Sequence, residues 1–472
     1  MKAYHLIGNR LVDSPRTAEV RDKYTGEIIG EAAQATAEQW EEAIAHAEKA
    51  YQFFKDYSAE RKAEILRALV DGIKAHREEL VRTIVREAGK PLGYARNEIK
   101  RALDNLKTGI RATMEFTGEQ VPMDYLNGKG KTAYTVPVPY GPVLGISPFN
   151  FPLNLALHKI IPAVGTGSPV IIKPAPQTPL TMGIIAGILA DAGIPEGIIQ
   201  IVHSDNTLAE KAVRDPRFKI LSFTGSDRVG WYLKSISPAL KTFLEMGGNA
   251  AAVIDATADL SRAAKKLAYG SFLYAGQICI SVQRIYVTED VFDEFTDLFL
   301  RETEKIHSGH PASEDTVNGP MIGAAELERI QSWIDEARAQ GAQILAGGRP
   351  ADKEHNIFMP TVLTHTNMDM KIMAEEAFAP VVNINPVKDI AEGIEAVNAS
   401  RYGLQASLYS DSLEHIRRFI KEVEAGGIMI NEIPGFRIDG MPYGGMKRSG
   451  IGREGARWAM REYTQPKLIV IQ

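Results

Sequence analysis

The sequence predicts an α/β protein of more than one domain, on three observations. The chain has 472 residues, about three times the common domain length of ~150. From residue 134 onward short apolar runs alternate with helical stretches, the pattern of βαβ units and parallel sheet. That alternation falls into two series meeting near residue 247, so two such sheets are expected. With 44% hydrophobic and 24% charged residues the core is ample and wholesale disorder is excluded.

Ahead of the alternation lies a helical block, residues 36–116. Thr36, with Gln39 three positions on, makes a capping box before the apolar stripe Trp40, Ile44 and Ala47, and Ser58 opens a second helix carrying Ile65 and Leu69. Gly89, Pro91 and Gly93 punctuate the block. The first α/β series then runs through Val143–Ile146, Pro169–Ile172, Gly197–Val202, Ile220–Phe223 and Thr242–Leu244, with Thr178-Pro179 read as the N-cap and first turn of one intervening helix. The second series comprises Ala251–Ile254, a helix from Leu260 to Phe272, a strand Arg284–Val287 and further alternations to Gly427–Asn431. Thr132–Pro139 and the tail Pro466–Gln472 read as peripheral strands.

A net charge of −5, with both signs interspersed, offers no basic tract for nucleic acid or an anionic membrane. Cys279 is the single cysteine, so no intramolecular disulfide forms and a cytoplasmic setting is expected. The start MKAYHLIGNR lacks the apolar core of a signal peptide, and no run reaches the ~20 apolar residues of a membrane span. No metal is expected.

Several residues stand where chemistry is done. Cys279, in Ala275-Gly276-Gln277-Ile278-Cys279-Ile280-Ser281, follows a glycine that lets backbone approach a ligand; alone, such a cysteine is more simply a small buried hydrophobe. Glu245 closes a strand ahead of Gly247 and Gly248, at the carboxyl edge where open α/β sheets take ligands, or it is a solvated turn residue. Asn150, in Ser147-Pro148-Phe149-Asn150-Phe151-Pro152, follows another strand and is either an oxyanion donor or a helix cap. Phe223-Thr224-Gly225-Ser226 leads from strand to helix, where a pyrophosphate can sit on the helix N-terminus. Lys173 places an ammonium at a further strand end.

Together these segments resemble the aldehyde dehydrogenase superfamily. SPFNFP at 147–152, IIKPA at 171–175, FTGS at 223–226, LEMGGNA at 244–250, GQICIS at 276–281, EEAFAP at 375–380 and PYGGMKRSGIGREG at 442–455 match seven family signatures in family order. The resemblance implies a Rossmann-like dinucleotide domain (1–122 and 138–246), an α/β catalytic domain (247–430) and oligomerisation strands (123–137 and 455–472) in a homodimer or homotetramer. It implies that Cys279 attacks an aldehyde, Asn150 holds the oxyanion and Glu245 activates water to release a free acid from the thioester. Coenzyme A-using relatives typically lack that glutamate. Cofactor contacts are implied at Ser147, Phe149, Lys173, Pro176, Gly225, Ser226, Gly247, Glu376 and Phe378. A cysteine esterase working without cofactor is the alternative.

Three departures bear on specificity. Phe149 stands where many members have Trp. Pro176 replaces a glutamate that NAD-preferring members often carry, which leaves NAD and NADP both open. His158 occupies the position where succinate-semialdehyde members carry Arg, which argues against that substrate, and His158 competes between a substrate contact and a helix histidine. Arg101 and Arg437 are the candidates for positive charge at the substrate mouth, favouring a small anionic or hydroxylated aldehyde.

Overall fold

The first apolar series forms the parallel core of an eight-stranded sheet. In a computed structural model, which describes residues 1–472, the strands lie in the spatial order Gly450–Ile451, Lys241–Glu245, Ile220–Thr224, Val143–Ile146, Val170–Lys173, Ile199–Ile201, His5–Ile7 and Arg10–Val12. The middle five are parallel and the flanking strands antiparallel. Helices cover these parallel strands, so Val170–Lys173 is buried throughout and reads as a continuous rather than alternating apolar run. The chain runs from Val143–Ile146 outward to Ile199–Ile201, then crosses back to place Ile220–Thr224 on the other side of Val143–Ile146. That reversal is the switch point where doubly wound sheets open a crevice beyond the carboxyl ends of their strands.

The second series makes a seven-stranded sheet in the order Gln343–Ala346, Thr361–Thr364, Val381–Val387, Val282–Thr288, Ala250–Ile254, Gln405–Tyr409 and Gly427–Ile430. All but the first are parallel to their neighbours. Its short connection from Lys241–Glu245 into Ala250–Ile254 carries Gly247 and Gly248 from one sheet to the other.

Four helices, Ala37–Phe54, Ala59–Ala75, Arg77–Ala88 and Leu92–Glu115, build the N-terminal block, and the Thr36–Gln39 capping box forms as read. They pack into one core with the helices of the first sheet. Leu92–Glu115 lies close against Asn154–Thr166 because Gly109 carries no side chain; a Cβ there would come within 2.2 Å of Ile161. Two buried glutamates of this block do capping work for helices far away in sequence. Glu98 accepts from the backbone N–H groups of Leu153 and Asn154 at 3.0 and 3.1 Å, and Glu87 from those of Leu180 and Thr181 at 2.7 and 2.9 Å. The second pair corrects the expectation that Thr178 caps that helix: the orphan donors of its first turn are met by a longer side chain from another element.

Thr464–Ile471 pairs antiparallel with Thr132–Pro139 along its whole length, and Gln120–Val121 adds a third strand. The segment 455–472, expected as strand, begins instead as the helix Ala456–Glu462, whose Ala456, Ala459 and Met460 are buried. Gly450–Ile451, too short to show in sequence, adds an edge to the first sheet. No helix is long and apolar enough to cross a membrane.

Candidate active site

Cys279 sits on a tightly determined loop. Tyr274, Ala275 and Gly276 adopt left-handed φ of 55°, 53° and 65°, a run that costs free energy for the two non-glycine residues. The surroundings hold it in place. Tyr274 Oη donates to Ala88 O at 3.0 Å, Gln277 Nε2 donates to Pro320 O at 3.2 Å, and Gln277 Oε1 accepts from Ile322 N at 2.8 Å. Gly276 is required, because a Cβ would lie 2.1 Å from Ala379 O. Cys279 Sγ emerges 2.9 Å from Tyr443 Oη, and burial pushes the thiol up to about 12. Asn150 Nδ2 donates to Gln277 O at 2.9 Å, which fixes the amide beside the loop and leaves its second N–H free to donate.

Glu245 ends its strand opposite Thr224, buried, with Oε2 lacking any partner. Burial first, and the neighbouring Glu454 second, hold it well above the ordinary glutamate range. Behind it lies a buried charge cluster. Arg437 donates to Glu454 at 2.9 Å, Lys159 Nζ stands 3.6 Å from Glu454, and Lys159 donates to Thr224 Oγ1 at 2.6 Å. Burial acts to raise Glu454, but His158, Lys159 and Arg437 bring it down to about 2. One carboxyl of the pair is thus kept ionised and the other is pushed toward its protonated form.

Two cavities meet at Cys279. The larger, about 750 Å³, is lined by Ser147, Phe149, Asn150, Lys173, Pro176, Gly225, Ser226, Glu245, Gly247, Glu376 and Phe378, so every residue implied as a cofactor contact faces one cleft at the sheet's switch point. Its features fit a dinucleotide. Ser226 caps the helix Asp227–Ile236, whose N-terminus opens to the cleft. Ser147 Oγ is buried without a partner. Gly247 leaves room for backbone where a Cβ would fall 2.2 Å from Glu376. Lys173 Nζ lies 3.3 Å from Asn206 Oδ1, lowered by burial to about 8, and Glu376 accepts from Gly248 N at 3.0 Å, raised by burial to about 8. Phe149 and Phe378 meet edge to face with centroids 5.8 Å apart in the wall of the same cleft.

The smaller cavity, about 150 Å³, lies on the other side of Cys279 and is lined by Tyr94, Asn97, Arg101, Phe151, Asn154, Arg437 and Tyr443 among others. Arg101 donates to both oxygens of Asp439, at 3.1 and 2.8 Å. His158 lines neither cavity, which favours the helix-histidine alternative over the substrate contact. It is buried behind the wall, Nε2 lying 2.9 Å from Asp439 Oδ1 and 3.0 Å from Arg437 Nη2. One ring nitrogen cannot donate to a carboxylate and accept from a guanidinium at once, so it braces one of them at a time. Burial lowers its pKa, which favours the neutral ring.

The family model described as "Aldehyde dehydrogenase family" matches residues 11–469. The chain belongs to the aldehyde dehydrogenase family. It is 37% identical over 455 residues to a 3-sulfolactaldehyde dehydrogenase of Priestia aryabhattai, covering 96% of this chain and 94% of that one. Among solved structures it is similar to aldehyde dehydrogenase 21 from Physcomitrella patens in complex with the reaction product succinate (TM-score 0.96, 34% identity, 100% and 98% covered). It is also similar to glyceraldehyde-3-phosphate dehydrogenase from Methanocaldococcus jannaschii complexed with NADP (TM-score 0.91, 33% identity, 97% and 99% covered). The protein is an NAD(P)-dependent aldehyde oxidoreductase.

In this aldehyde dehydrogenase, sequence reasoning passed over Tyr443, Glu454, Lys159 and Asp439. Tyr443 and Glu454 lie inside the signature 442–455 and Lys159 adjoins His158, so each was in view. None carries a spacing that would single it out, because each meets a partner at least 164 residues away.

Proposed function

We propose that this enzyme oxidises a small aldehyde bearing an anionic group to the free acid, with Cys279 as nucleophile, Asn150 as oxyanion donor and Glu245 as general base. The observation that carries the substrate class is the placement of Arg101 and Arg437 in the wall of the cavity next to Cys279. A guanidinium suits sulfonate, carboxylate and phosphate alike. The three relatives above carry such a group in the substrate or product their names print. A cavity of about 150 Å³ suits a small substrate.

Attack of the thiolate on the carbonyl carbon forms a C–S bond and moves the negative charge to oxygen, which the free Asn150 N–H and backbone at Cys279 receive. A bound nicotinamide dinucleotide supplies the two-electron acceptor for the oxidation. Lys173 and Glu376 would hold its ribose hydroxyls, and Ser147, Phe149, Pro176, Gly225, Ser226, Gly247 and Phe378, which line the same cleft, would pack against the rest of it. Glu245, unpartnered at Oε2, takes the proton of the water that cleaves the thioester. The cofactor-free esterase reading gains nothing from a site built around a dinucleotide cleft.

The same proposal divides the chain into a cofactor unit, a catalytic unit and the strand pair Thr132–Pro139 with Thr464–Ile471 as an assembly arm in a homodimer or homotetramer. A reducing cytoplasm fits a nucleophile that must stay a free thiol. The test is a steady-state panel of anionic aldehydes and their neutral isosteres with NAD and NADP, read by reduced cofactor. Equal kcat/KM for charged and neutral partners removes the substrate class, and full activity of Cys279→Ala removes the nucleophile.

A further inference from the structure

We infer that Tyr443 is a further catalytic residue: its phenol O–H donates to the Cys279 sulfur and stabilises the thiolate, and Arg437, lying on the face of its ring, strengthens that donor. The inference rests on the reading of Cys279 as nucleophile.

Geometry carries it. Tyr443 Oη stands 2.9 Å from Cys279 Sγ, and the hydroxyl has no other hydrogen-bond partner, so nothing competes for its proton. The Arg437 guanidinium carbon lies 3.6 Å from the ring centroid. A cation on the face of a phenol draws on its π density and makes the O–H a better donor. The ring is fixed in place: Tyr443 N donates to Glu454 O at 3.1 Å and Glu454 N returns a bond of 2.6 Å to Tyr443 O. A phenylalanine would fill the same volume, so packing alone does not account for the hydroxyl.

The thiolate has few other friends here. Burial opposes it, and Glu376 and Glu245 face it with carboxyl groups, while Tyr94 approaches from the helix Leu92–Glu115; Tyr443 and Arg437 act the other way. During attack the sulfur gives its charge to the carbonyl oxygen as the C–S bond forms, so the hydrogen bond weakens. Tyr443 therefore raises the thiolate population at some expense of intrinsic nucleophilicity.

Cys279 is the single cysteine, so thiol chemistry reads one group. The experiment measures alkylation by iodoacetamide against pH, with thiolate ultraviolet absorbance taken as the difference from Cys279→Ala. In Tyr443→Phe, compared with the unmutated protein at one pH on the rising limb, the thiolate population falls by about 10- to 100-fold, the size expected for a hydrogen bond to a charged group, and the alkylation rate falls less, because the freed thiolate is the better nucleophile. A rate and a thiolate absorbance both unchanged at that pH overturn the inference. If that variant does not fold by circular dichroism, replacing the tyrosines with 3-fluorotyrosine gives a stronger phenol donor in the unmutated fold. The thiolate absorbance at that pH then rises, and its constancy overturns the inference equally. Turnover retained by Cys279→Ala would instead defeat the underlying nucleophile assignment, a separate outcome.

Discussion

Arg101 and Asp439, 338 residues apart in the chain, meet through two hydrogen bonds of 3.1 and 2.8 Å at the wall of the smaller cavity. Asp439 Oδ1 also accepts from Asn154 Nδ2 at 3.1 Å, so the carboxylate is fully engaged and holds the guanidinium in one orientation. Two of its five N–H donors are used there, which leaves others for a ligand.

Arg101→Met is therefore expected to raise KM for anionic aldehydes by about 10- to 100-fold, the ~1.5–3 kcal/mol of a charge-assisted hydrogen bond. Neutral isosteres should change little. Parallel kinetics on a sulfonate or carboxylate aldehyde and its uncharged analogue check this. An equal loss on both would mark Arg101 as a wall residue only.

The strand ends were legible in sequence because each is an apolar run closed by a residue of different character: Ile172 before Lys173, Leu244 before Glu245, Ile146 before Ser147. A parallel sheet then brings those ends to one edge without further information. What was not legible depends on distances across the chain. Nothing local in Cys279 or Tyr443 says that one meets the other, nor in Glu87 that it caps Leu180–Asp191 in place of Thr178. In sequence His158 stands between a substrate contact and a helix histidine because some family members carry Arg at its position, and Asp439 draws the imidazole behind the wall.

Lys173 gives a cofactor prediction free of turnover. Burial lowers its ammonium to about 8, so the charge is present below that pH and lost above it. Dinucleotide affinity, measured by calorimetry without aldehyde, should weaken as pH rises through about 8. Lys173→Met should bind roughly 10-fold more weakly and show no such dependence. A pH dependence retained in the variant would clear Lys173 of the role.

Pro176 predicts discrimination by charge. With no carboxylate at that position, Pro176→Glu should weaken NADP binding by about 10-fold and leave NAD nearly unaffected, since Pro176 lines the cleft and a carboxylate there would repel a 2′-phosphate. Titration of both cofactors into the variant decides it.

The strand pair predicts assembly. Leu468, Val470 and Ile471 are 57%, 49% and 52% exposed, and Val136 on the facing strand 40%, more apolar surface than an isolated arm would keep in water. Truncation after Tyr463 should remove that surface, leave Thr132–Pro139 without its main partner and shift sedimentation to the monomer. Unchanged sedimentation would place the interface elsewhere.

Glu245 joins catalysis to stability with opposite signs. Burial and Glu454 raise its pKa, so it is protonated at low pH and cannot accept a proton from water. The deacylation rate should climb with pH on a limb whose midpoint lies above the ~4.3 of an unperturbed glutamate. Glu245→Gln should lose that limb, give one equivalent of reduced cofactor per site in a burst, and then turn over about 100- to 10,000-fold more slowly. Added coenzyme A should leave the unmutated rate unchanged; acyl-coenzyme A as product would remove the base from the mechanism. Stability runs the other way. Between its unfolded and its raised folded pKa the folded state binds more protons than the unfolded, so the contribution of Glu245 to stability declines as pH rises through that window. A neutral amide escapes this decline, and at neutral pH Glu245→Gln should have an equal or higher Tm while its turnover collapses. Loss of activity with a fallen Tm would instead report damage to the fold, and the burst measured on the same preparation separates the two.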